Sequence, residues 1–157
     1  MLLPYFQALE SGSIGSAIRD SVWLFPFIEA FHLFALAVIG GAVLLVDFRL
    51  LGLGLKRQPV AMLARDAQPF LVGSLLVMIA SGVPLFLSEA IKCYYSFAFW
   101  TKMTALALAI LFTFTIRRRV TLADETRVGP TWSRVVAMTS ITLWSLVGWG
   151  GRWIGFS

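Results

Sequence analysis

Four long apolar stretches constrain the fold of this chain more than any other feature. They cover about residues 22–46, 69–87, 97–116 and 135–153. A helix needs about 20 mostly apolar residues to cross the hydrocarbon core of a membrane, and each stretch is close to that length. The composition agrees, because 59% of the 157 residues are hydrophobic and 13% are charged. Soluble domains contain about 25% charged residues, so a soluble globular enzyme and a disordered chain are excluded.

Short polar linkers at residues 47–68, 88–96 and 117–134 join the four stretches. Antiparallel helices with short connections form an up-down bundle. We therefore predict a single all-α domain over residues 1–157, an integral membrane four-helix up-down bundle. The first 21 residues lack a basic start and a long apolar core, unlike a signal peptide. They predict a short interfacial helix on the membrane surface, broken near Gly12.

The uneven distribution of basic residues predicts the topology. Nine Lys and Arg residues lie in the linkers at 47–68 and 117–134, whereas Arg19, Lys92 and Arg152 lie towards the opposite end. By the positive-inside rule, both of these linkers are cytoplasmic and both termini face outward. We expect the inner membrane of a bacterium, with membrane lipids as partners. Beyond this topology signal no basic stripe remains, so the net charge of +5 does not indicate a nucleic-acid partner.

Five ionisable residues lie inside the apolar stretches or at their outer ends: Glu29, His32, Glu89, Lys102 and Arg152. Glu29 and His32 are three residues apart, a spacing that places both on one helix face. The up-down topology brings all five residues to the same side of the bilayer. A charge inside a membrane costs about 2.5–3.5 kcal/mol on insertion scales, so such residues need a partner or a function. We predict an outer-side intramembrane polar site.

Three interpretations of this site stay open. In the first, it is a structural network in which Glu29 pairs with Lys102 or Arg152. In the second, His32 is the axial ligand of haem b or of another metal, and Glu29 orients His32 or carries protons. Lys102 and Arg152 then pair with acidic groups of the ligand. In the third, the site serves the transport or sensing of a proton, a metal ion or a small solute.

The single histidine and the single cysteine limit these interpretations. Because His32 is the only histidine, haem ligation by two histidines of one chain is excluded. One histidine and one cysteine, Cys93, are too few for a structural zinc site. Cys93 also cannot form a disulfide within the chain. The residues leave open whether the protein is an enzyme.

Small residues at helix-packing spacings indicate close contacts between helices. They are Gly40, Gly41, Gly73, Ser74, Gly82, Gly148, Gly150 and Gly151. They also favour a second class of function, in which the chain is a non-catalytic membrane subunit or a homo-oligomer. The polar site would then be structural.

The inner ends of the stretches carry further charges. Asp47 and Arg49 lie two residues apart near the end of the first stretch. We expect Arg49 to pair with Asp47 or to reach lipid headgroups. The triplet Arg117, Arg118 and Arg119 is interpreted as a topology anchor that can also bind anionic lipid.

Several motifs together resemble a group of uncharacterised bacterial four-helix membrane proteins. They are Trp23-x-Phe25-Pro26-x-Ile28-Glu29-x-x-His32, Asp47-x-Arg49-Leu50-Leu51-Gly52, Ser81-Gly82-x-x-Leu85-Phe86-x-x-Glu89-Ala90, Phe99-Trp100-x-Lys102-Met103 and Gly151-Arg152-Trp153-Ile154. The resemblance extends from Trp23 to Phe156. It implies a membrane location and no assigned activity.

Two of these features are also similar to better-known membrane proteins. A first-span histidine followed by small residues, and a Trp-x-Lys that opens the third span, resemble the copper-resistance-D proteins. The same two places resemble the haem-binding HemJ-type protoporphyrinogen oxidases. This resemblance implies that His32 is the histidine of a haem or metal site and that Lys102 is its companion.

Overall fold

The computed structural model describes residues 1–156, and within them the chain is helical without any strand. Seven helices follow one another: α1 Leu3–Glu10, α2 Ser13–Arg19, α3 Leu24–Leu51, α4 Val60–Ser88, α5 Ala90–Tyr95, α6 Phe97–Leu122 and α7 Pro130–Ile154. The prediction of an all-α fold is confirmed.

Three helices in the described part of the chain, α3, α4 and α6, are long and apolar enough to cross a membrane. Large apolar side chains cover their outer surfaces, among them Phe34, Leu76 and Leu111, which are each more than half exposed. Such a surface is typical of lipid-facing helices and untypical of a soluble monomer. These features indicate a multi-pass membrane protein.

The stretch predicted as a fourth span forms α7, which is as long as a span but less apolar. It contains serine, threonine, glycine and tryptophan between its aliphatic residues, and these lower its mean hydropathy. It is therefore not among the three candidate spans, and its passage through the membrane stays a prediction.

Local sequence explains where several helices begin and end. Gly52 ends α3 with a φ of +76°, the left-handed conformation that glycine adopts without strain. The hydroxyl of Ser96 accepts a hydrogen bond from the backbone N–H of Phe99 and caps α6. Pro130 opens α7, at a position where a helix needs no N–H donor. Near its end, α6 widens into a π turn over Thr113–Arg117.

The long helices pack in pairs, α3 against α4 and α6 against α7, and α3 also contacts α7. The main core contains Ala35, Ile39, Val43, Leu71, Leu75, Met78, Ala105, Ala109, Trp144 and Val147. A second buried cluster lies near the arginine-rich end, around Val46, Val60, Leu63, Val136 and Ala137.

Four of the glycines expected at close helix contacts do not lie at them. A Cβ atom added at Gly40, Gly41, Gly73 or Gly148 would meet nothing within 4 Å. These four glycines therefore do not bring described helices of this chain together, and the close contacts expected of them stay a prediction for helices of another chain. The α3–α4 contact uses alanine and branched aliphatic residues on another face instead.

The N-terminal segment forms two short helices, with the expected break at Gly12. Both pack on α4 or α5. Arg19 Nη1 donates to the backbone oxygen of Ser88 at 3.2 Å and pairs with Glu10 at 3.3 Å. Glu10 also accepts the backbone N–H of Ile91 at 2.6 Å. These bonds hold α1 and α2 against the end of the bundle where the predicted polar site lies.

Candidate functional site

His32 on α3 and Lys102 on α6 meet near the first turns of their helices. The distance from Lys102 Nζ to His32 Nε2 is 3.4 Å, and both side chains are partly buried. We name this arrangement the His32–Lys102 site. It lies at the end of the molecule opposite the arginine-rich linkers, because α3 and α6 both begin there.

Ser81 on α4 fixes the other side of the imidazole. Its Oγ lies 3.0 Å from His32 Nδ1 and donates to the backbone oxygen of Val77 at 2.7 Å. Because the hydroxyl hydrogen is directed to Val77, Oγ accepts a hydrogen bond from Nδ1–H. The Nε2 lone pair then accepts from the Lys102 ammonium. A neutral histidine with its free lone pair at Nε2 is the arrangement that these contacts support.

Three glycines make room for the two side chains. A Cβ atom at Gly82 would lie 3.2 Å from His32 Cε1. A Cβ atom at Gly150 would lie 2.9 Å from Lys102 Cβ, and one at Gly151 would lie 3.4 Å from Lys102 Nζ. Helices α3, α4, α6 and α7 thus all contribute to the site: α4 supplies Ser81 and the space at Gly82, whereas α7 supplies only the space at its two glycines.

The other predicted site residues lie outside this arrangement. The side chain of Glu29 is exposed and makes no hydrogen bond or ion pair with any residue of 1–156. Glu89 pairs with Lys92 at 3.8 Å. Arg152 is exposed, and its guanidinium lies 4.9 Å from the centre of the Phe156 ring. The pairing of Glu29 with Lys102 or Arg152, which was one of three interpretations, does not occur within residues 1–156.

The positive charge of Lys102 is not balanced by a neighbouring carboxylate of residues 1–156. Lys102 has no carboxylate partner within the described residues, and its nearest polar group is the uncharged imidazole of His32. A cation withdrawn from water normally finds a counter-charge, because its desolvation is costly. The ammonium is therefore available to a negative group that is not part of this chain.

The site accommodates a metal ion only with rearrangement. Within residues 1–156, no three His, Cys, Asp or Glu side chains are grouped so that they could hold a metal ion. Ser81 holds Nδ1, and metal-binding histidines commonly have a polar neighbour of this kind on the nitrogen that does not bind the metal. However, Nε2 faces Lys102, so an iron atom could bind His32 only if Lys102 moved away.

A second polar centre was not recognised from the sequence. Arg117 Nε donates to Asp47 Oδ1 at 2.9 Å, and Arg117 Nη2 donates to the backbone oxygen of Val43 at 3.2 Å. Asp47 is 0% exposed and Arg117 5%. The sequence does contain a signal for this pair, namely Asp47, because an acidic residue in an apolar stretch needs a partner. The π turn that directs Arg117 inward has no comparable signal.

This pairing corrects two expectations. Arg49 does not pair with Asp47, but donates to the backbone oxygen of Gln58 at 2.8 Å and pairs with Glu125 at 3.3 Å. Arg117 does not share the exposure of Arg118 and Arg119, since it is buried in the bundle.

Two buried oxygens of this centre make no hydrogen bond of regular geometry within the described residues, although the Ser140 hydroxyl is close enough to the Asp47 carboxylate to interact with it. They are Asp47 Oδ2 and Ser140 Oγ. Nearby, Trp144 Nε1 donates to Thr113 Oγ1 at 3.2 Å and ties α7 to the π turn. The centre therefore links α3, α6 and α7 at the arginine-rich end.

Comparison with known proteins identifies a family but no protein of known function. A family model described as "Family of unknown function (DUF6644)" matches residues 10–157. No curated protein and no solved structure matches the chain.

Proposed function

The chain belongs to DUF6644, a family of unknown function, and we propose that it is an integral membrane protein whose His32–Lys102 site binds the acidic group of a ligand. The observation that carries this proposal is the partly buried Lys102 ammonium, which has no carboxylate partner within residues 1–156. A carboxylate or phosphate would balance this charge in a region of low dielectric constant.

The proposal includes a four-helix up-down bundle in a bacterial inner membrane. The pairwise packing of α3 with α4 and of α6 with α7 supports this arrangement. The nine basic residues at 47–68 and 117–134 favour a cytoplasmic position for that end. The His32–Lys102 site would then lie near the outer surface, within reach of a ligand in the outer leaflet.

Each residue has a defined part in this proposal. Lys102 pairs with the ligand's negative group, and Ser81 holds the His32 ring with Nε2 towards it. When the ligand enters as a neutral acid, Nε2 accepts its proton, leaving an anion beside an imidazolium and an ammonium. Arg152 follows Gly151 on α7 and serves a second acidic group.

Haem b is one ligand that satisfies this description, because its two propionates are carboxylates. His32 would be its iron ligand, as the resemblance to the copper-resistance-D and HemJ-type proteins implies. Lys102 would then leave Nε2 and pair with a propionate. A reduced-minus-oxidised absorbance spectrum of the purified protein distinguishes haem from a colourless acid.

The binding of acidic groups can be tested with simple amphiphiles that share one tail. We expect dodecanoate and dodecyl phosphate to raise the unfolding temperature of the detergent-purified protein, and dodecanol to leave it unchanged. A bound ligand in hundredfold excess over its Kd adds about 2.7 kcal/mol of stability. For a chain of this size, that corresponds to a rise of roughly 5–10 °C.

Matched lysine variants make this test specific. Lys102→Met should abolish the shift, whereas Lys92→Met should retain it, because Lys92 pairs with Glu89 outside the site. The proposal is wrong if dodecanol stabilises the protein as much as the acids, or if both variants respond equally.

Assembly is a second candidate function, and the open glycines favour it. Gly40, Gly41, Gly73 and Gly148 leave space that nothing in the described part of the chain fills. Small residues on helix surfaces allow close approach of another helix in lipid. If the chain is a subunit, Gly40→Leu or Gly148→Leu should change the oligomeric state in detergent more than His32→Ala does.

A further inference from the structure

We propose that a cavity at the arginine-rich end binds the phosphate headgroup of one anionic phospholipid. The cavity has a volume of about 180 Å³ and lies between α3, α4 and the end of α6. It is separate from the His32–Lys102 site, because its lining residues come from the opposite ends of these helices. The inference goes beyond the proposed function and shares only its assumption that the chain lies in a membrane.

The cavity combines an apolar wall with a basic rim. Its wall includes Ala42, Val46 and Leu71, and its rim includes Arg65 and Arg118. Both arginines are exposed, and neither forms an ion pair with any residue of 1–156. They come from different helices, α4 and α6, so that they present two free guanidinium groups to one space. Guanidinium groups bind phosphate oxygens in bidentate geometry.

The π turn gives this rim its arrangement. In an unbroken α-helix, consecutive residues lie about 100° apart, and a π turn inserts one extra residue at the point where it occurs. Arg117 ends the π turn, is buried and pairs with Asp47, and Arg118 follows it; both arginines line the cavity. The charge of Arg117 is neutralised within the chain, whereas that of Arg118 is not. Thr113, the first residue of the π turn, also lines the cavity.

The size of the cavity limits what enters it. A volume of about 180 Å³ is far above the roughly 10–15 Å³ that one water molecule needs. A phosphate with part of its glycerol fits this volume, and the acyl chains would lie outside on the apolar surface of α4 and α6. Arg65 is near the start of α4, so the rim lies at the end of the apolar part of the bundle. This is the depth at which the headgroups of a leaflet are found.

The test measures the retention of added lipid by native mass spectrometry. Phosphatidylglycerol is the anionic probe, and phosphatidylcholine, with no net charge, is the neutral one. In the Lys102→Met background, where the His32–Lys102 site cannot hold a second phosphate, we expect one phosphatidylglycerol per chain and no retained phosphatidylcholine. Arg65→Ala/Arg118→Ala should weaken binding of phosphatidylglycerol about 30-fold, at roughly 1 kcal/mol for each basic residue near the membrane surface.

A second double variant controls for net charge. Arg57→Ala/Arg119→Ala removes two exposed arginines that do not line the cavity and should retain the lipid. Ala64→Leu fills the wall without changing any charge and should reduce retention. Equal loss in the two double variants would show general charge attraction and overturn the proposal.

Two further measurements distinguish a bound lipid from free phosphate, and this cavity from the His32–Lys102 site. Millimolar inorganic phosphate should not displace the lipid, and displacement would indicate a free-anion site instead of a lipid site. Lys102→Met should retain phosphatidylglycerol, so failure of the His32–Lys102 proposal and failure of this one are distinguishable.

Discussion

Lys102 Nζ lies 3.4 Å from His32 Nε2, and Ser81 Oγ lies 3.0 Å from His32 Nδ1, so that both nitrogens of the ring have a polar partner. Since Ser81 Oγ is placed to donate to the backbone oxygen of Val77, the contacts favour the Nδ1–H tautomer. An imidazole held in this way presents a basic lone pair next to a cation that lacks a counter-ion.

The tautomer can be measured directly, because His32 is the only histidine of the chain. Labelling with ¹⁵N-histidine gives a single imidazole, and we expect its nitrogen shifts to report Nδ1–H near neutral pH. Ser81→Ala removes the acceptor and should produce a mixture of tautomers. An Nε2–H imidazole in the unmodified protein would contradict the proposed orientation.

The close approach of α6 and α7 predicts opposite effects for two neighbouring glycines. Gly150→Ala places a Cβ atom 2.9 Å from Lys102 Cβ, and such overpacking typically costs about 1–3 kcal/mol. Gly148→Ala meets open space and should stabilise the helix by about 0.5–1 kcal/mol. Unfolding of both variants in mixed detergent micelles measures the difference. Equal stability of the two would show that the helices are farther apart than described.

The buried pair of Asp47 and Arg117 predicts a large loss on removal of one partner. Asp47→Ala leaves a buried guanidinium without its counter-charge, which costs about 3–5 kcal/mol. Glu89→Ala breaks an exposed pair and should cost less than about 1 kcal/mol. The double variant Asp47→Leu/Arg117→Met should recover most of the lost stability. A similar, small loss for both single variants would contradict the buried position of the pair.

Cys93 should be unreactive in the folded protein. It is buried on α5, and burial, followed by the nearby charge of Glu89, raises the pKa of its thiol to about 11. The reactive thiolate is therefore scarce near neutral pH and becomes common only as the pH approaches 11. We expect slow maleimide labelling at pH 7.5 and rapid labelling after unfolding. Ser13→Cys in a Cys93→Ser background, with its thiol at an exposed position, should label at once and serves as the control.

The sequence was sufficient to predict the helical fold and to single out His32 and Lys102, because ionisable groups in apolar stretches are conspicuous. It did not predict that Glu29 would be exposed. Residues three apart on an α-helix differ in direction by about 60°, which is enough to turn Glu29 away from the site that contains His32. Helix periodicity fixes relative directions, but the packing of other helices decides which direction is buried.

The arginine triplet shows a second limit of sequence reasoning. Three adjacent basic residues at the end of an apolar stretch are typical of a topology anchor. In the structure the first of them ends the π turn over Thr113–Arg117 and is buried against Asp47. A π turn forms where the energy of a buried contact outweighs the loss of regular backbone hydrogen bonds. This energy difference produces no regular residue spacing, so the sequence does not predict the turn.

The most direct test of the central proposal is native mass spectrometry of the protein extracted in mild detergent, with Lys102→Met and Lys92→Met as a matched pair. Our account predicts that the unmodified protein and Lys92→Met carry the same acidic ligand, and that Lys102→Met has lost it. A ligand-free unmodified protein that gains no mass with added dodecanoate or dodecyl phosphate would contradict the account, as would equal retention in all three proteins.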